Sequence, residues 1–516
     1  MPRPRIRRSR IPRPRIRRPL IWRLWAALLV AALLATAGCT SSPTSATPAG
    51  RTASGSASPN TAANRPNFVF VLTDDLSWNL VSHMPHVEAL EKAGSTMSKY
   101  YVVDSLCCPS RSAIFTGMYP HDDGVFTNAG NDGGYTAFNK YGDEKKTFAL
   151  ALLDAGYRTA MMGKYLNQYG PSDPVPAGWS EWDVAGNGYP EFDYTLNEDG
   201  RQVHYGSKPQ DYLTDVLSGK ATSFIDSSAA DRKPFMLEVA TFAPHAPYTP
   251  APRYANAASD LTYPRTPAYD RLPSNPPKWL KNQAPLSAIE EQYIDTTYQK
   301  RVEADLSVDD MIGHLEAELK AKGLASDTYF IFSSDNGYHM GEYRLDPGKQ
   351  TAYDTDIHVP LVVTGPGVPA GRVDSQLTSS IDLAPTIETL AGLSVPASVD
   401  GHSLVGLWHG LDPPDWRQAI LIEHHGPDFN PADPDRQTSK EGDPISYEAV
   451  RTATALYVRY AGGQQEYYDT TTDPYELDNI AAKGVPAVFP KTLTALEDCH
   501  TGATCWAAAH LTGSSS

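Results

Sequence analysis

The stretch NFVFVLTDD, residues 67 to 75, joins an unbroken apolar run to two acidic residues. An apolar run without alternation is typical of a strand that is covered on both faces, as in parallel sheets. Three later stretches repeat the pattern and lead into polar residues: YRTAMMGK (157–164), PFMLEVATFAPH (234–245) and DTYFIFSSDNG (327–337). The four stretches predict a sheet of mostly parallel strands whose polar ends meet at one edge.

Helical stretches precede two of these strands. TFALALLDAG ends at Gly156 and SVDDMIGHLEAELKAKG ends at Gly323, and both glycines suit a left-handed helix cap. Alternating helices and strands favour an α/β doubly wound fold, with a mixed, mostly parallel sheet and helices on both faces. We expect this domain to span residues 67–395.

After residue 395 the sequence no longer alternates predicted helices with apolar strands. ALYVRYAGGQQEYYD (455–469) predicts a hairpin that turns at Gly462 and Gly463. We therefore expect a smaller C-terminal α/β subdomain with an antiparallel sheet over residues 396–516.

The N-terminus has the features of an export signal. Ten arginines and no acid precede an apolar run (24–35) that is too short to span a bilayer comfortably. We expect the signal to cover residues 1–38. TAGC (36–39) resembles a bacterial lipobox, which predicts lipid anchoring through Cys39 at the outer face of the cytoplasmic membrane. Plain cleavage with secretion, or a retained signal anchor, is the alternative.

Residues 39–66 are rich in Ser, Thr, Ala, Pro and Gly and predict a flexible tether. Removing the ten signal arginines from the 44 basic residues leaves 34 against 60 acidic ones, so the exported chain carries about −26. No basic stripe indicates a nucleic-acid partner. We expect contact with a membrane only through the signal or the lipid anchor.

Two pairs of oxygen-bearing residues follow predicted strands directly: Asp74 with Asp75, and Asp335 with Asn336. Carboxylates on neighbouring strand ends repel each other unless a cation lies between them. Oxygen ligands suit a divalent cation, Ca²⁺ first and Mg²⁺ as the alternative. Asp and Asn are also common turn formers, which is the other interpretation of either pair alone.

The stretch CCPSRSAIFTG (107–117) places Pro109 at a predicted helix start, with Cys107 just before it and Arg111 one turn in. A helix N-terminus and an arginine together predict a site for an anion. Cys499 and Cys505, in CHTGATC, close a short loop, and we expect them to pair in an oxidising compartment.

The stretch CCPSRSAIFTG (107–117) matches the pattern C-x-P-S-R followed by Thr116-Gly117. By this pattern the chain resembles the sulfatase family. Other marks of the family follow in order: Asp74 and Asp75, Gly163-Lys164, His245 in PHAP, SDNG at 334–337, Gly348-Lys349, and YDTTTDPYELDN at 468–479. The resemblance covers roughly residues 67 to 480. CCPSR, GWSEWD (178–183) and GKYLNQYG (163–170) resemble the N-acetylglucosamine-6-sulfatase and extracellular heparan endosulfatase branch.

The resemblance implies that a maturation system converts Cys107 to formylglycine, an aldehyde whose hydrate supplies a nucleophilic hydroxyl. Asp74, Asp75, Asp335, Asn336 and the residue at 107 would bind the cation. Arg111, Lys164 and Lys349 would neutralise charge on the transferring group, and His245 or Lys349 would protonate the leaving alcohol. The expected substrate is an aryl or carbohydrate sulfate, carried by a small molecule or a glycan.

Some positions depart from the family pattern. Leu166 stands where many sulfatases have histidine, Asp354 where relatives often have Glu, and His358 where they often have Arg. His121 either lines the site or is a buried structural histidine.

Two other functions stay open at this point. A phosphonate or phosphodiester hydrolase can use the same site, and an unmodified Cys107 would leave a catalytically silent binder of sulfated ligands. The net charge near −26 predicts a preference for small or sparsely sulfated esters over heparin-like chains.

Overall fold

The stretch that begins at Asn67 forms the middle of a ten-stranded sheet in the computed structural model, which describes residues 65–427, 433 and 435–511. The predicted signal, Cys39 and almost all of the predicted tether lie outside the described residues. Within the described residues no helix is both long enough and apolar enough to cross a membrane.

The strands of the described residues are β1 (Asn67–Thr73), β2 (Ser95–Met97), β3 (Tyr100–Tyr101), β4 (Arg158–Gly163), β5 (Glu181–Ala185), β6 (Tyr194–Glu198), β7 (Arg201–Tyr205), β8 (Phe235–Ala240), β9 (Thr328–Ser334), β10 (Leu361–Thr364), β11 (Arg372–Asp374), β12 (Thr378–Ser379), β13 (Ala419–His424), β14 (Tyr447–Thr452), β15 (Ala455–Tyr460) and β16 (Gln465–Asp469).

The α-helices of the same residues are α1 (Trp78–Val81), α2 (Pro85–Ala93), α3 (Cys107–Thr116), α4 (Pro120–Asp123), α5 (Gly134–Tyr141), α6 (Phe148–Asp154), α7 (Leu213–Asp231), α8 (Ala288–Ala321), α9 (Asp354–Ile357), α10 (Leu383–Leu390), α11 (Val405–Trp408), α12 (Val488–Glu497) and α13 (Gly502–Ala508). Short 3₁₀ segments lie at 143–145, 209–211, 325–327, 380–382 and 481–483.

The large sheet has the strand order β11-β2-β10-β9-β1-β8-β4-β5-β6-β7. Its five central strands, β9 to β5 in this order, are parallel. The flanking strands β10, β6 and β7 each run antiparallel to an inner neighbour. The predicted mixed, mostly parallel sheet is confirmed, and all four stretches quoted above are central strands.

Both faces of β1 are buried, which explains its lack of alternation. Phe68 and Phe70 belong to one apolar core, whereas Val69 and Val71 belong to a second core on the other face. Helices cover both cores, as the fold class requires. One face of the small sheet adds Ile420 to the first core.

Three local predictions can be compared with the structure. The first two helical stretches end as expected, with left-handed glycines at Gly156 and Gly323. However, α8 begins at Ala288, well before the predicted segment, because Ser287 and Glu290 form a capping box in a region with few apolar residues. The helix α3 begins at Cys107 rather than Pro109, since a proline is tolerated anywhere in a first turn.

The C-terminal part forms the four-stranded antiparallel sheet β13-β14-β15-β16, with the expected hairpin between β15 and β16. Its outer face packs against α12, and the predicted disulfide between Cys499 and Cys505 lies beside this contact. The domain boundary at residue 395 stays a prediction.

Candidate active site

The two oxygen-bearing pairs meet because β1 and β9 are parallel neighbours in register, with Thr73 opposite Ser334. The Asp75 amide donates to Asp335 Oδ1 at 3.1 Å, and Asn336 Nδ2 donates to Asp75 Oδ1 at 2.7 Å. Asp75 has a φ of 66°, an unusual value for a residue other than glycine. The strained backbone turns its carboxylate towards the partner strand end.

The helix α3 brings its first turn to the same edge. Arg111 Nε donates to Asp335 Oδ2 at 2.7 Å, and Ser110 Oγ donates to the Asp335 carbonyl at 2.5 Å. Burial raises the pKa of Asp335, but Arg111, Lys164 and Lys349 outweigh burial and hold that pKa at about 2. Asp335 is therefore an anion that fixes the arginine.

Lys164 follows β4 and forms an ion pair with Asp74, with 2.6 Å between Nζ and Oδ2. Burial raises the pKa of Asp74 to about 6, although Lys164 opposes this shift. Burial lowers the pKa of Lys164, and Asp74 outweighs burial, so the amine stays protonated. Lys164 thus keeps a positive charge in a closed site.

Lys349 lies between position 107 and the strand ends. Its Nζ is 2.7 Å from Cys107 Sγ and 2.7 Å from Asp75 Oδ1. Gly348 precedes it, and a Cβ there would come within 2.2 Å of the Glu441 carbonyl, so only glycine lets the two segments approach this closely.

His245 lies in the segment that follows β8, and its ring reaches the same site. Its Nδ1 donates to the Ala246 carbonyl at 2.8 Å, while Nε2 faces Asp75 at 3.5 Å and contacts Asp435. Burial lowers the pKa of His245, but Asp435 and Asp75 outweigh burial and raise it. Both ring nitrogens therefore face hydrogen-bond acceptors, which favour the protonated ring.

Cys107 is completely buried. Burial raises the pKa of its thiol and Asp435 raises it further, so the unmodified side chain is a neutral thiol and a poor nucleophile. Cys108 points into the apolar core, and burial raises its pKa to about 12. The two adjacent cysteines are unpaired in the structure.

The structure thus brings all nine predicted site residues into one buried network, and their individual roles stay predictions. His121 and His358 lie outside it. His121 contacts Glu423 at 2.8 Å and the Cys499 carbonyl, beside the small sheet. Of the two possibilities for His121, these contacts favour a structural histidine. His358 contacts the Ser98 carbonyl at 3.0 Å and stacks on Tyr101.

The residues at the strand ends fit a divalent cation. Within the described part of the chain, Asp74 Oδ1 and Asn336 Oδ1 are buried without a hydrogen-bond partner. Single ligand atoms from Asp74, Asp75, Cys107 and His245 lie within 4.8 Å of one another. Buried oxygens without donors are suited to Ca²⁺ or Mg²⁺.

Sequence reasoning missed three polar residues of the site. Asp435 accepts hydrogen bonds from Asn128 Nδ2 at 3.0 Å and Asn167 Nδ2 at 2.9 Å, and from Lys349 Nζ at 3.3 Å. Asn167 could have been singled out from the sequence, because it follows Leu166, where many sulfatases have histidine. Leu166 itself packs in the core. No spacing signal marks Asp435 or Asn128.

A cavity of about 360 Å³ opens beside this network. Amide and aromatic side chains dominate its lining: Asn128, Asn167, Gln168, Asn187, Tyr189 and Phe242, with Lys164 and Asp433 as the charged members. A volume of this size is within the range of pockets that bind small ligands.

The chain is similar in sequence to known proteins over most of its length. A family model described as Sulfatase matches residues 66–393, and one described as N-sulphoglucosamine sulphohydrolase, C-terminal, matches residues 341–497. N-acetylglucosamine-6-sulfatase from Homo sapiens is 35% identical over 476 residues, which cover 86% of this chain and 86% of that protein.

Two solved structures share the fold. One is a protein in complex with its substrate D-glucosamine-2-N,6-O-disulfate, with a TM-score of 0.70, 23% identity, and coverage of 84% of this chain and 97% of that one. The other is a phosphonate monoester hydrolase from Silicibacter pomeroyi, with a TM-score of 0.62, 23% identity, and coverage of 81% and 92%. At such identities these structures show the fold alone.

Proposed function

The chain belongs to the sulfatase family and is a sulfuric ester hydrolase, and from this premise we propose that it hydrolyses the sulfate ester of a small carbohydrate by means of formylglycine at position 107. The substrate class we propose is a 6-O-sulfated N-acetylglucosamine. The 35% identity with N-acetylglucosamine-6-sulfatase from Homo sapiens, over most of both chains, supports this choice.

The observation that carries the proposal is the position of Cys107. It lies in the first turn of α3, within 2.7 Å of the Lys349 amine and beside the acids at two strand ends. A buried, neutral thiol has little use as a nucleophile here. A hydrated aldehyde at the same position would instead supply a hydroxyl that attacks sulfur.

The cationic side chains around position 107 define what the protein contributes. Arg111 is held by Asp335 and by the Lys164 carbonyl at 2.9 Å, so its guanidinium is oriented before substrate arrives. Lys164 and Lys349 are fixed by ion pairs of 2.6 and 2.7 Å with Asp74 and Asp75. Cations oriented in advance stabilise negative charge on the transferring sulfate without reorganising.

A proton for the leaving alcohol is available at His245 Nε2, because Nδ1 already donates to a backbone carbonyl. Lys349 Nζ is the other candidate donor. A divalent cation, which we propose to be Ca²⁺ held by Asp74, Asp75, Asp335, Asn336 and residue 107, would add positive charge to the transferring group.

We also propose that the protein works outside the cytoplasm, where its disulfide is stable. Export and lipid attachment through Cys39 are supported by the N-terminal sequence. Electrophoresis of the mature protein after labelling with a fatty-acid probe tests the anchor. A Cys39→Ser variant that still incorporates the probe would contradict it.

The function is tested with protein from a host that produces formylglycine. Mass spectrometry of the peptide containing residue 107 should show the aldehyde or its hydrate, and the protein should release sulfate from N-acetylglucosamine 6-sulfate. Cys107→Ala should abolish both results. Cys108→Ala is the matched control, because it changes the adjacent cysteine and should keep both.

Two outcomes would overturn the proposal. Faster hydrolysis of an aryl phosphodiester than of any sulfate ester would indicate that the protein is a phosphonate or phosphodiester hydrolase. Tight binding of a sulfated sugar without sulfate release, by protein that carries the aldehyde, would indicate a binding protein.

A further inference from the structure

The carboxylate of Asp435 lies in the middle of the cationic site. It is completely enclosed, with about 1% of its side chain exposed. Its contacts are all with donors that point into the site: Lys349 Nζ at 3.3 Å, Asn128 Nδ2 at 3.0 Å, Asn167 Nδ2 at 2.9 Å, the Cys107 thiol at 3.7 Å, and His245 Nε2.

The donors around Asp435 form a cradle for an oxyanion. Two of them belong to the basic side chains of Lys349 and His245 and two are neutral amides, and they reach both carboxylate oxygens. The Cys108 amide donates to Asn128 Oδ1 at 3.0 Å, which orients the Asn128 amino group towards the cradle. A sulfate group presents its oxygens to donors of this same kind.

The amide and the carbonyl of Asp435 both form hydrogen bonds. The Asp435 amide donates to Asp433 Oδ1 at 2.9 Å, and Gln437 Nε2 donates to the Asp435 carbonyl at 3.0 Å. The cavity of 360 Å³ adjoins the cradle, since Asn128, Asn167 and Asp433 line it. The donors of the cradle thus adjoin an open cavity, while two hydrogen bonds hold the main chain of Asp435.

We propose that Asp435 is an internal competitor for the substrate's sulfate and thereby sets the affinity of the site, an inference that rests on the proposed function. The carboxylate and a sulfate ester require the same four N–H donors and cannot bind them together. The substrate must displace the carboxylate. The apparent Kd for the substrate is therefore the intrinsic Kd divided by the fraction of molecules in which Asp435 has left the cradle free. Asn128 and Asn167 then donate to the sulfate oxygens.

The test compares wild type with Asp435→Asn, which keeps the side-chain volume and removes the charge. Calorimetric titration with inorganic sulfate should show about tenfold tighter binding for Asp435→Asn. KM for N-acetylglucosamine 6-sulfate should fall by a similar factor, with kcat changed less than about threefold. Asp435→Ala provides a second variant, and circular dichroism establishes that each is folded.

Glu441→Gln is the matched control. It removes one negative charge from the same segment, where Glu441 Oε2 accepts a hydrogen bond from the Thr438 amide at 2.7 Å and makes no contact with the cradle donors. Its affinity for sulfate should equal that of wild type. An equal gain in Glu441→Gln would reduce the effect to net charge and overturn the proposal.

Two further outcomes separate this inference from the proposed function. Unchanged sulfate binding in Asp435→Asn, or a hundredfold loss of kcat at constant KM, would overturn the role of Asp435. Tighter sulfate binding in a protein that turns over no sulfate ester would support that role and contradict the proposed function, because the titration needs no turnover.

Discussion

Lys349 Nζ lies 2.7 Å from Cys107 Sγ, although 242 residues separate the two along the chain. The same amine reaches Asp75 Oδ1 at 2.7 Å, so it links position 107 to the strand ends. Burial lowers the pKa of Lys349, but Asp435 and Asp75 outweigh burial and raise it well above its usual range. The site thus holds a permanent cation beside the proposed nucleophile.

We expect Lys349→Met to lower kcat by about a hundred- to a thousandfold, because it removes charge stabilisation at the transferring group. Steady-state kinetics on a sulfate ester measures this loss. Lys92→Met is the control, since the Lys92 side chain is 76% exposed on α2, and it should leave kcat unchanged. Wild-type kinetics in Lys349→Met would remove this lysine from the mechanism.

Calcium should stabilise the folded protein through the strand-end acids. At a hundred times its Kd, a cation that binds only the native state adds about 2.7 kcal/mol to the free energy of unfolding. Thermal denaturation with Ca²⁺ and with a chelator should show this difference in wild type. It should be lost in Asp75→Asn and kept in Asp231→Asn, whose side chain is 56% exposed. Equal stabilisation of both variants would place the ion elsewhere.

The imidazole of His121 should make stability depend on pH. Burial lowers the pKa of His121, but the hydrogen bond with Glu423 outweighs burial and raises it to about 9, above the ordinary value of 6.5. The protonated ring therefore stabilises the fold fully below pH 6.5, and this contribution is lost as the pH rises through 9. We expect the difference in unfolding free energy between wild type and His121→Gln to shrink by about 3 kcal/mol from pH 6 to pH 9.5.

Urea denaturation at the two pH values measures this change. Glu423→Gln should show the same loss of pH dependence, since it removes the partner that raises the pKa of His121. A difference between wild type and His121→Gln that is constant with pH would contradict the ion pair.

Glu238 is a buried acid in the middle of β8, and both its carboxylate oxygens lack hydrogen-bond partners within the described residues. Burial raises the pKa of Glu238 to about 8, despite the opposing charge of Arg111. The unfolded chain ionises first, so this residue costs nothing below pH 4.5 and progressively more up to pH 8.

Glu238→Gln should therefore become more stable relative to wild type by about 4 kcal/mol as the pH rises from 4.5 to 8.5. Denaturant titrations across this range measure the trend. A stability difference that stays flat with pH would mean that the carboxyl group is ionised in the fold.

The acidity of the chain predicts discrimination by substrate length. The net charge of about −26 that we expect after loss of the predicted signal would repel a long polyanion more than a single sulfated sugar. Rates on short and long sulfated substrates should differ most at low salt, and the difference should narrow as salt screens the repulsion. Faster turnover of long chains at low salt would contradict this expectation.

Much of the site could be predicted from the sequence, because short local patterns of residues determine the strands and the helix that carry it. An unbroken apolar run favours a strand that is buried on both faces, and the residue that follows such a strand lies at the sheet edge, as Asp74, Lys164 and Asp335 do. The helix around Arg111 is likewise determined by its first turn and by Gly117, which has a φ of 70°.

The tertiary structure alone decided what fills the site. Asp435 contacts Cys107 across 328 residues of sequence, from a segment with no periodicity and no motif. The strands β2, β10 and β11 are also short, and only pairing with β9 and with one another makes them strands. Patterns of apolar residues report which side chains leave water, but a charged side chain in a loop is placed by partners that the chain brings together only when it folds.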